Sequence, residues 1–174
     1  MIDETFCNAL LTRSSGASFT WQINAGHANT MTSRLAHRMI AAEQTLPGVA
    51  LLIADLAGID CLNDFFCGEL PASADEGFAV SFLGSGKREN YDATPLHFLL
   101  YGRGRNLDTF SRVAGNLAEK LPLPLAVSVS HSSTDTIVVH QMICGKTQIE
   151  SVGGKGCAPY MLKMELTAAV SSAF

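Results

Sequence analysis

The sequence predicts an α+β fold: a single, mostly antiparallel β-sheet of about five to seven strands with two or three helices. Three observations predict it. Short apolar or alternating runs recur between clusters of Gly, Pro, Asn, Asp and Ser, as strands bounded by turns do. One segment, NLDTFSRVAGNLAEKL, carries a clear helical stripe. Most strand-like runs precede that helix, at spacings that suit hairpins rather than repeated crossover units. The chain has 174 residues, enough for one domain with a real core and too few for two of ordinary size. Residues 1–17 read as a loose leader and residues 18–174 as the domain, with no internal repeat or low-complexity tract.

Taken in order, SFTWQIN (Ser18 to Asn24) alternates Phe19, Trp21 and Ile23 and reads as a short strand. Met31, Leu35, Met39 and Ala42 match helical spacing, while Leu35, His37 and Met39 would share one face of a strand, so Thr30 to Gln44 fits either. LPGVALLIADL (Leu46 to Leu56) is a continuous apolar run after a Pro-Gly pair, the signature of a buried strand. Ile59 to Leu70 is a returning strand or a short helix. FAVSFLG (Phe78 to Gly84) and LHFLLYG (Leu96 to Gly102) are strands joined by a polar connection.

The helix comes next. Asp108 is the expected N-cap, and Phe110, Val113, Ala114, Leu117 and Leu121 form the apolar stripe. Arg112, Asn116, Glu119 and Lys120 fall opposite, and Pro122 stops the helix because it cannot donate to the ladder. In LAVSVS, Val127 and Val129 point one way and Ser128 and Ser130 the other, towards solvent. HSSTD is a turn, and TIVVHQMIC (Thr136 to Cys144) is the partner strand. A glycine-rich loop, SVGGKG, leads to an expected C-terminal helix at about 159–170. Pro159 would stand at its first position, and Leu162, Leu166, Ala169 and Val170 would make its stripe.

Composition narrows function. The chain is 47% hydrophobic and only 16% charged, with net charge -4. No run of Lys or Arg offers the clustered charge that phosphate backbones need, so no nucleic-acid partner is expected. The five cysteines form no CxxC pair, and their odd number fits a reducing compartment, cytoplasmic or nuclear. MIDETFCNALLTRSSG is acidic and lacks a long apolar run, so neither a secretory signal nor a membrane span is expected. Mean hydropathy of +0.20 leans towards a chain that buries surface in a homo- or heterodimer.

The candidate chemistry is sparse. A P-loop needs a glycine five residues before its Gly-Lys pair; Gly86-Lys87 has Ser81 there and Gly145-Lys146 has His140. In YGRGRN the third glycine of a dinucleotide fingerprint would fall at Leu107. Ser128, Ser130, His131, Asp135 and His140 hold the residue types of a hydrolytic triad, but no GxSxG elbow is present, and alternation with valine is what a half-buried strand writes. Cys144 and Cys157 flank the glycine-rich loop, whereas Cys61 and Cys67 sit among apolar residues as core would. The carboxylate pairs Asp75-Glu76 and Asp60/Asp64 read as surface, and His27, His37 and His97 have no metal-ligand spacing. No catalytic, cofactor-binding or metal-binding residue is therefore assigned, and no cofactor is expected.

The parts from Pro95 to Ile143 follow one another as PLHFLLYG, a polar loop, DTFSRVAGNLAEKL, LAVSVS, HSSTD and TIVVHQMI. This order, with the short words LLYG, NLAEKL and VSVS, resembles the C-terminal half of the small proteasome assembly chaperones, chaperone 4 more than its partner chaperone 3. GVALLIADLAGIDCLNDFF is similar to their central hairpin. The leader before Ser18, extra sequence between residues 64 and 95, and the tail after Gly153 depart from that pattern. The resemblance implies a non-catalytic chaperone that dimerises, with itself or a second small chaperone, and holds proteasome α-type subunits during ring assembly. A longin- or roadblock-like dimerising module, or a small cysteine or serine hydrolase or deamidase, is the alternative.

Overall fold

The computed structural model describes residues 22–25, 42–59, 65–70, 72, 74–86, 93–130, 136–152 and 159–173. In chain order the elements are β1 (Gln22–Ala25), α1 (Ala42–Ala57), β2 (Phe65–Cys67), β3 (Gly77–Ser85), β4 (Thr94–Gly104), α2 (Leu107–Lys120), β5 (Val127–Ser130), β6 (Thr136–Ser151) and β7 (Tyr160–Ala173). The strands form one seven-stranded sheet in the order β1-β5-β6-β7-β4-β3-β2. Every neighbouring pair is antiparallel except β2 and β3, which run parallel, so the α+β class holds with a mixed sheet.

Helix α1 is the first departure from the sequence reading, which expects a strand over Leu46 to Leu56. Val49, Ala50, Leu51, Leu52, Ile53 and Ala54 are consecutive, and none is more than 2% exposed. Six successive helical residues sweep more than a full turn, so this stretch has no wet side. A run apolar at every position shows no period, and a buried helix and a buried strand then look alike in sequence. The helix lies against α2 and against β1, β2, β3 and β5. Its end is written in backbone terms: Gly58 N–H donates to Asp55 O and Ile59 N–H to Ala54 O, with Gly58 at φ +69°. This paired closure needs a left-handed residue just past the helix, which glycine adopts without a Cβ clash. The Asn116 side chain of α2 donates to Ala57 O at 2.8 Å and satisfies one more terminal carbonyl.

The C-terminal helix expected at about 159–170 is instead strand β7. Leu162, Met164, Leu166, Ala168 and Val170 are all buried, and the residues between them are half-buried or exposed. The segment contains both a helical stripe and a strict alternation; pairing with β4 on one side and β6 on the other selects the alternation. Strands β3, β4, β5 and β6 lie where the sequence places them. β6 runs on through Gly145-Lys146-Thr147 to Ser151, which removes any nucleotide-loop reading there. Of Ser18 to Asn24, Gln22 to Asn24 lie in β1; of Thr30 to Gln44, Ala42 to Gln44 lie in α1; of Ile59 to Leu70, Phe65 to Cys67 form β2. The leader and the turn HSSTD lie outside the described residues.

Helix α2 matches its expected span and stripe, with Phe110, Val113 and Leu117 buried. Its N-cap, however, is Asn106, whose Oδ1 accepts from the Asp108 N–H at 3.0 Å. Asp108 sits inside the first turn, where a negative charge faces the positive end of the helix dipole. Leu121 closes the other end through its N–H to Leu117 O, just before Pro122. The helix docks by its Phe110 ring, which meets Phe78 edge-on at 5.7 Å and 84°. A Cβ built at Gly102 would stand 2.9 Å from the Phe78 ring and 3.0 Å from Phe110, and one at Gly104 would stand 3.2 Å from Phe110. The two glycines of YGRG leave a seat on the inner face of β4 that any side chain would fill.

Two glycine substitutions should therefore move stability in opposite directions. Gly102→Ala overpacks the phenylalanine seat and should cost about 1–3 kcal/mol. Gly115→Ala, on the exposed side of α2 with open space around it, should stabilise by roughly 0.5–1 kcal/mol through helix propensity. Urea unfolding of both variants measures the two signs; equal shifts would contradict the packing described for Phe110.

Candidate functional site

The helices cover one face of the sheet, so its chemistry lies on the other, here the outer face. Directly paired residues share a face, and the register makes rows across it. One row runs Gly84, His97, Thr167, Ile143; the next runs Ser81, Leu99, Glu165; another runs Ala79, Tyr101, Lys163, Gln148. Three bulges break the regular ladder. One lies between Phe82 and Gly84, one between Val139 and Gln141, and one between Cys144 and Thr147. Each bulge sets two residues against one and re-aims a side chain.

The second bulge decides where the histidine of the sequence cluster goes. Gln141 pairs with Ala169 on the outer face, so the extra residue, His140, turns to the same side. Its Nε2 lies 2.6 Å from Ser171 Oγ. The sequence groups His140 with Ser128, Ser130, His131 and Asp135; the structure sets it against Ser171 of β7 instead. A periodic signal cannot reveal a bulge, which is why Ser171 was missed. His97 makes a similar contact, Nδ1 to Thr167 Oγ1 at 3.0 Å, across the β4–β7 pairing.

Neither histidine–hydroxyl contact has the form of a nucleophile site. Ser171 is 3% exposed and Ser128 7%, whereas an acyl-transfer serine must meet its substrate. Ser128 thus departs from the solvent-facing position expected of it. It flanks Val138 on the outer face, and Val138 is itself 1% exposed, so this end of the face is closed rather than wet. Val127 and Val129 do face the core as expected. His131 and Asp135 lie outside the described residues, and Ser130 is described only by its backbone.

Cys144 points to the helix-covered face opposite Leu166 and packs against the core. Burial raises its thiol above the ordinary cysteine range. A nucleophilic cysteine needs the opposite shift. Cys67 is half-buried in β2 and also packs against the core, in keeping with the sequence reading. Cys7, Cys61 and Cys157, the Asp60/Asp64 pair, and His27 and His37 lie outside the described residues. Asp75 and Glu76 are exposed, and Glu76 Oε1 lies 3.6 Å from Arg105 Nε at the surface. The Arg103 guanidinium donates to the Ala74 carbonyl, tying the loop after β2 to β4. Among the described residues, no group of three or more His, Cys, Asp or Glu is placed to hold a metal ion. No helix among them is long and apolar enough to cross a membrane.

What the open end of the outer face does present is apolar surface among polar groups. Leu99 and Tyr101 are half-buried there, Ile143 is 47% exposed, and the bulge residue Leu83 is 56% exposed. Lys163, Glu165 and Gln141 stand among and beside them. Such a mixture of apolar and charged groups is the composition of a contact surface.

No protein-family model matches the chain, and no curated protein matches it. Among solved structures, a chain of the "Virion of native gene transfer agent (GTA) particle" is similar at 12% identity, with a TM-score of 0.40. The match covers 84% of this chain and 99% of that one. A likeness at that level carries no functional argument.

A raised Cys144 thiol predicts slow alkylation. Iodoacetamide at neutral pH should modify Cys144 at least about tenfold more slowly in the native protein than in urea, because little thiolate forms and access is restricted. Peptide mass mapping of the modified site checks this, and equal native and unfolded rates would contradict the burial.

Proposed function

We propose that this chain is a non-catalytic protein-binding module, an assembly chaperone or scaffold of the cytoplasm or nucleus. One observation carries the reading. The open end of the outer face, bounded by β3, β4, β7 and β6, exposes Leu83 and Ile143 beside Leu99 and Tyr101. Leu83 and Ile143 are two of the five exposed large apolar side chains among the described residues, and they stand on a face that the helices leave uncovered. The two histidine–hydroxyl contacts support the same reading, because they hold buried or half-buried polar groups in place rather than offering a reactive atom.

The narrower form of the proposal names the partner. The order of parts from β4 through α2 to the β5–β6 hairpin is the portion of the chain that resembles the small proteasome assembly chaperones. Proteasome α-type subunits are accordingly the first partners to test, with a second small chaperone as the other.

Purified protein should retain α-type subunits in a pull-down. Ile143→Asp should reduce retention at least about tenfold, the effect of a charge in an apolar contact. Ser128→Ala should leave retention unchanged. Circular dichroism should show both variants folded. No retention of any α-type subunit by the wild-type chain would reject the proteasome partner. Hydrolysis of a broad ester or amide substrate panel, lost on Ser171→Ala with the fold intact, would reject the non-catalytic reading itself.

A further inference from the structure

The sheet has two short edge strands, but it also has a long open edge inside its order. β5 pairs with β6 only from Val127↔Val139 to Ser130↔Thr136. β6 continues to Ser151, held on its other side by β7. Beyond Val139, then, the side of β6 away from β7 has no strand partner among the described residues. Gly145, Lys146, Thr147, Ile149, Glu150 and Ser151 are exposed, and Ile149 is one of the exposed large apolar residues. From Thr147 to Ser151 the register with β7 is regular, and a strand with one unpaired side is a template for another strand.

The pattern along that edge is its own complement. Thr147 pairs with Met164 and Ile149 with Leu162, so these two share the helix-covered face. Gln148 pairs with Lys163 and Glu150 with Met161, so these two share the outer face, and Lys146, in the bulge just before Thr147, precedes them by the same alternation. Read backwards from Glu150, the sequence KTQIE becomes EIQTK. Laid antiparallel on a second copy with Gln148 facing its twin, Lys146 meets the second copy's Glu150 and Thr147 meets the second copy's Ile149. The two-fold axis repeats both pairs. Opposite charges and β-branched residues directly across from one another are the pairs that stabilise antiparallel strands.

We infer that β6 is a homodimerisation edge: two copies of this chain join their sheets through residues 145–151 about a two-fold axis at Gln148. A two-fold contact is self-complementary by necessity, and KTQIE supplies that complementarity within five residues. The remaining open stretch of β3, from Ser81 to Ser85, carries a bulge as β6 does before Thr147, but its sequence SFLGS has no charged residue to answer Lys146 and Glu150. The inference rests on the protein-binding reading only in treating protein contact as the work of the chain. It uses residues outside the Leu83, Leu99, Tyr101 and Ile143 surface.

Charge exchange tests the register. By sedimentation equilibrium the full chain should dimerise, with twice the mass of the 18.5 kDa chain. Lys146→Glu and Glu150→Lys each place like charges opposite one another twice per dimer. Each should weaken dimerisation at least about tenfold. The double variant restores opposite charges in the swapped order and should return to within about threefold of the wild type. Gln148→Cys should give a 148–148 disulfide on mild oxidation, mapped by mass spectrometry. Directly opposed strand residues lie about 4.5–5.5 Å apart between Cα atoms, within disulfide reach. Ser151→Cys, displaced from its twin, should not cross-link. A monomeric wild type, or a dimer whose single reversals are silent or whose double variant fails to recover, overturns the inference. Failure here leaves α-subunit retention by the Ile143 surface to be judged separately, because retention by the monomeric Lys146→Glu variant reports only on that surface.

Discussion

The rest of the structure depends on one constraint, that α1 has no wet side. A helix whose residues 49–54 are all shut away from water must be covered around its whole circumference. Part of that cover comes from α2, and part from strands at both ends of the sheet, β1 and β5 at one end and β2 and β3 at the other. Only a curled sheet brings strands that are far apart in its order onto one helix. The large aromatic and aliphatic side chains that fill the space, Phe65, Phe98, Leu100, Met142 and Leu162 among them, come from strands across that order. Each fully buried side chain of this size contributes roughly 1.5–3 kcal/mol. The helix is thus the element that touches α2 and both ends of the sheet at once.

The helix also explains the treatment of its own end. A terminus that emerges into packed surroundings cannot leave its carbonyls to solvent. Gly58 and Ile59 take two of them through their N–H groups, and the Asn116 side chain takes that of Ala57. Asn116 lies on the side of α2 that helical spacing assigns to water, so its role follows from the neighbour rather than from its own helix. The Phe110 ring and its glycine seat fix α2 on the sheet, and that placement carries Asn116 to the end of α1.

These relations show which features were legible in the sequence. Elements with one wet and one dry side carry a period, and β3, β4, α2 and β5 lie where their periods place them. Elements buried all round, or compatible with two periods, do not. Leu46 to Leu56 had no period to read, and residues 160–170 satisfied two. The site was harder still. Val127 and Val129 face inward as alternation requires, yet Ser128 on the other face is buried, because alternation reports which face a residue takes and not whether that face is open. The contact between His140 and Ser171 depends on a bulge that shifts the strand by one residue. A pairwise register is a property of two strands, and neither strand's sequence states it alone.

Bulges therefore govern what this sheet can offer another molecule. The one at Leu83 pushes an apolar side chain out beside the open end of the outer face and breaks the β3 ladder at the same step. The one after Cys144 sets Gly145 and Lys146 against a single residue of β7, and the strand then resumes a regular register from Thr147. Among the described residues the outermost strands, β1 and β2, span four and three residues, and so short an edge is a small template. β6 is not shortened in that way. Its open edge resumes regularity at Thr147, with Thr147 and Ile149 flanking Gln148 and the charges of Lys146 and Glu150 one step further out on either side. An edge that was only a liability would keep the irregularity, whereas one that restores a straight ladder beside a self-complementary sequence has the properties of a joint.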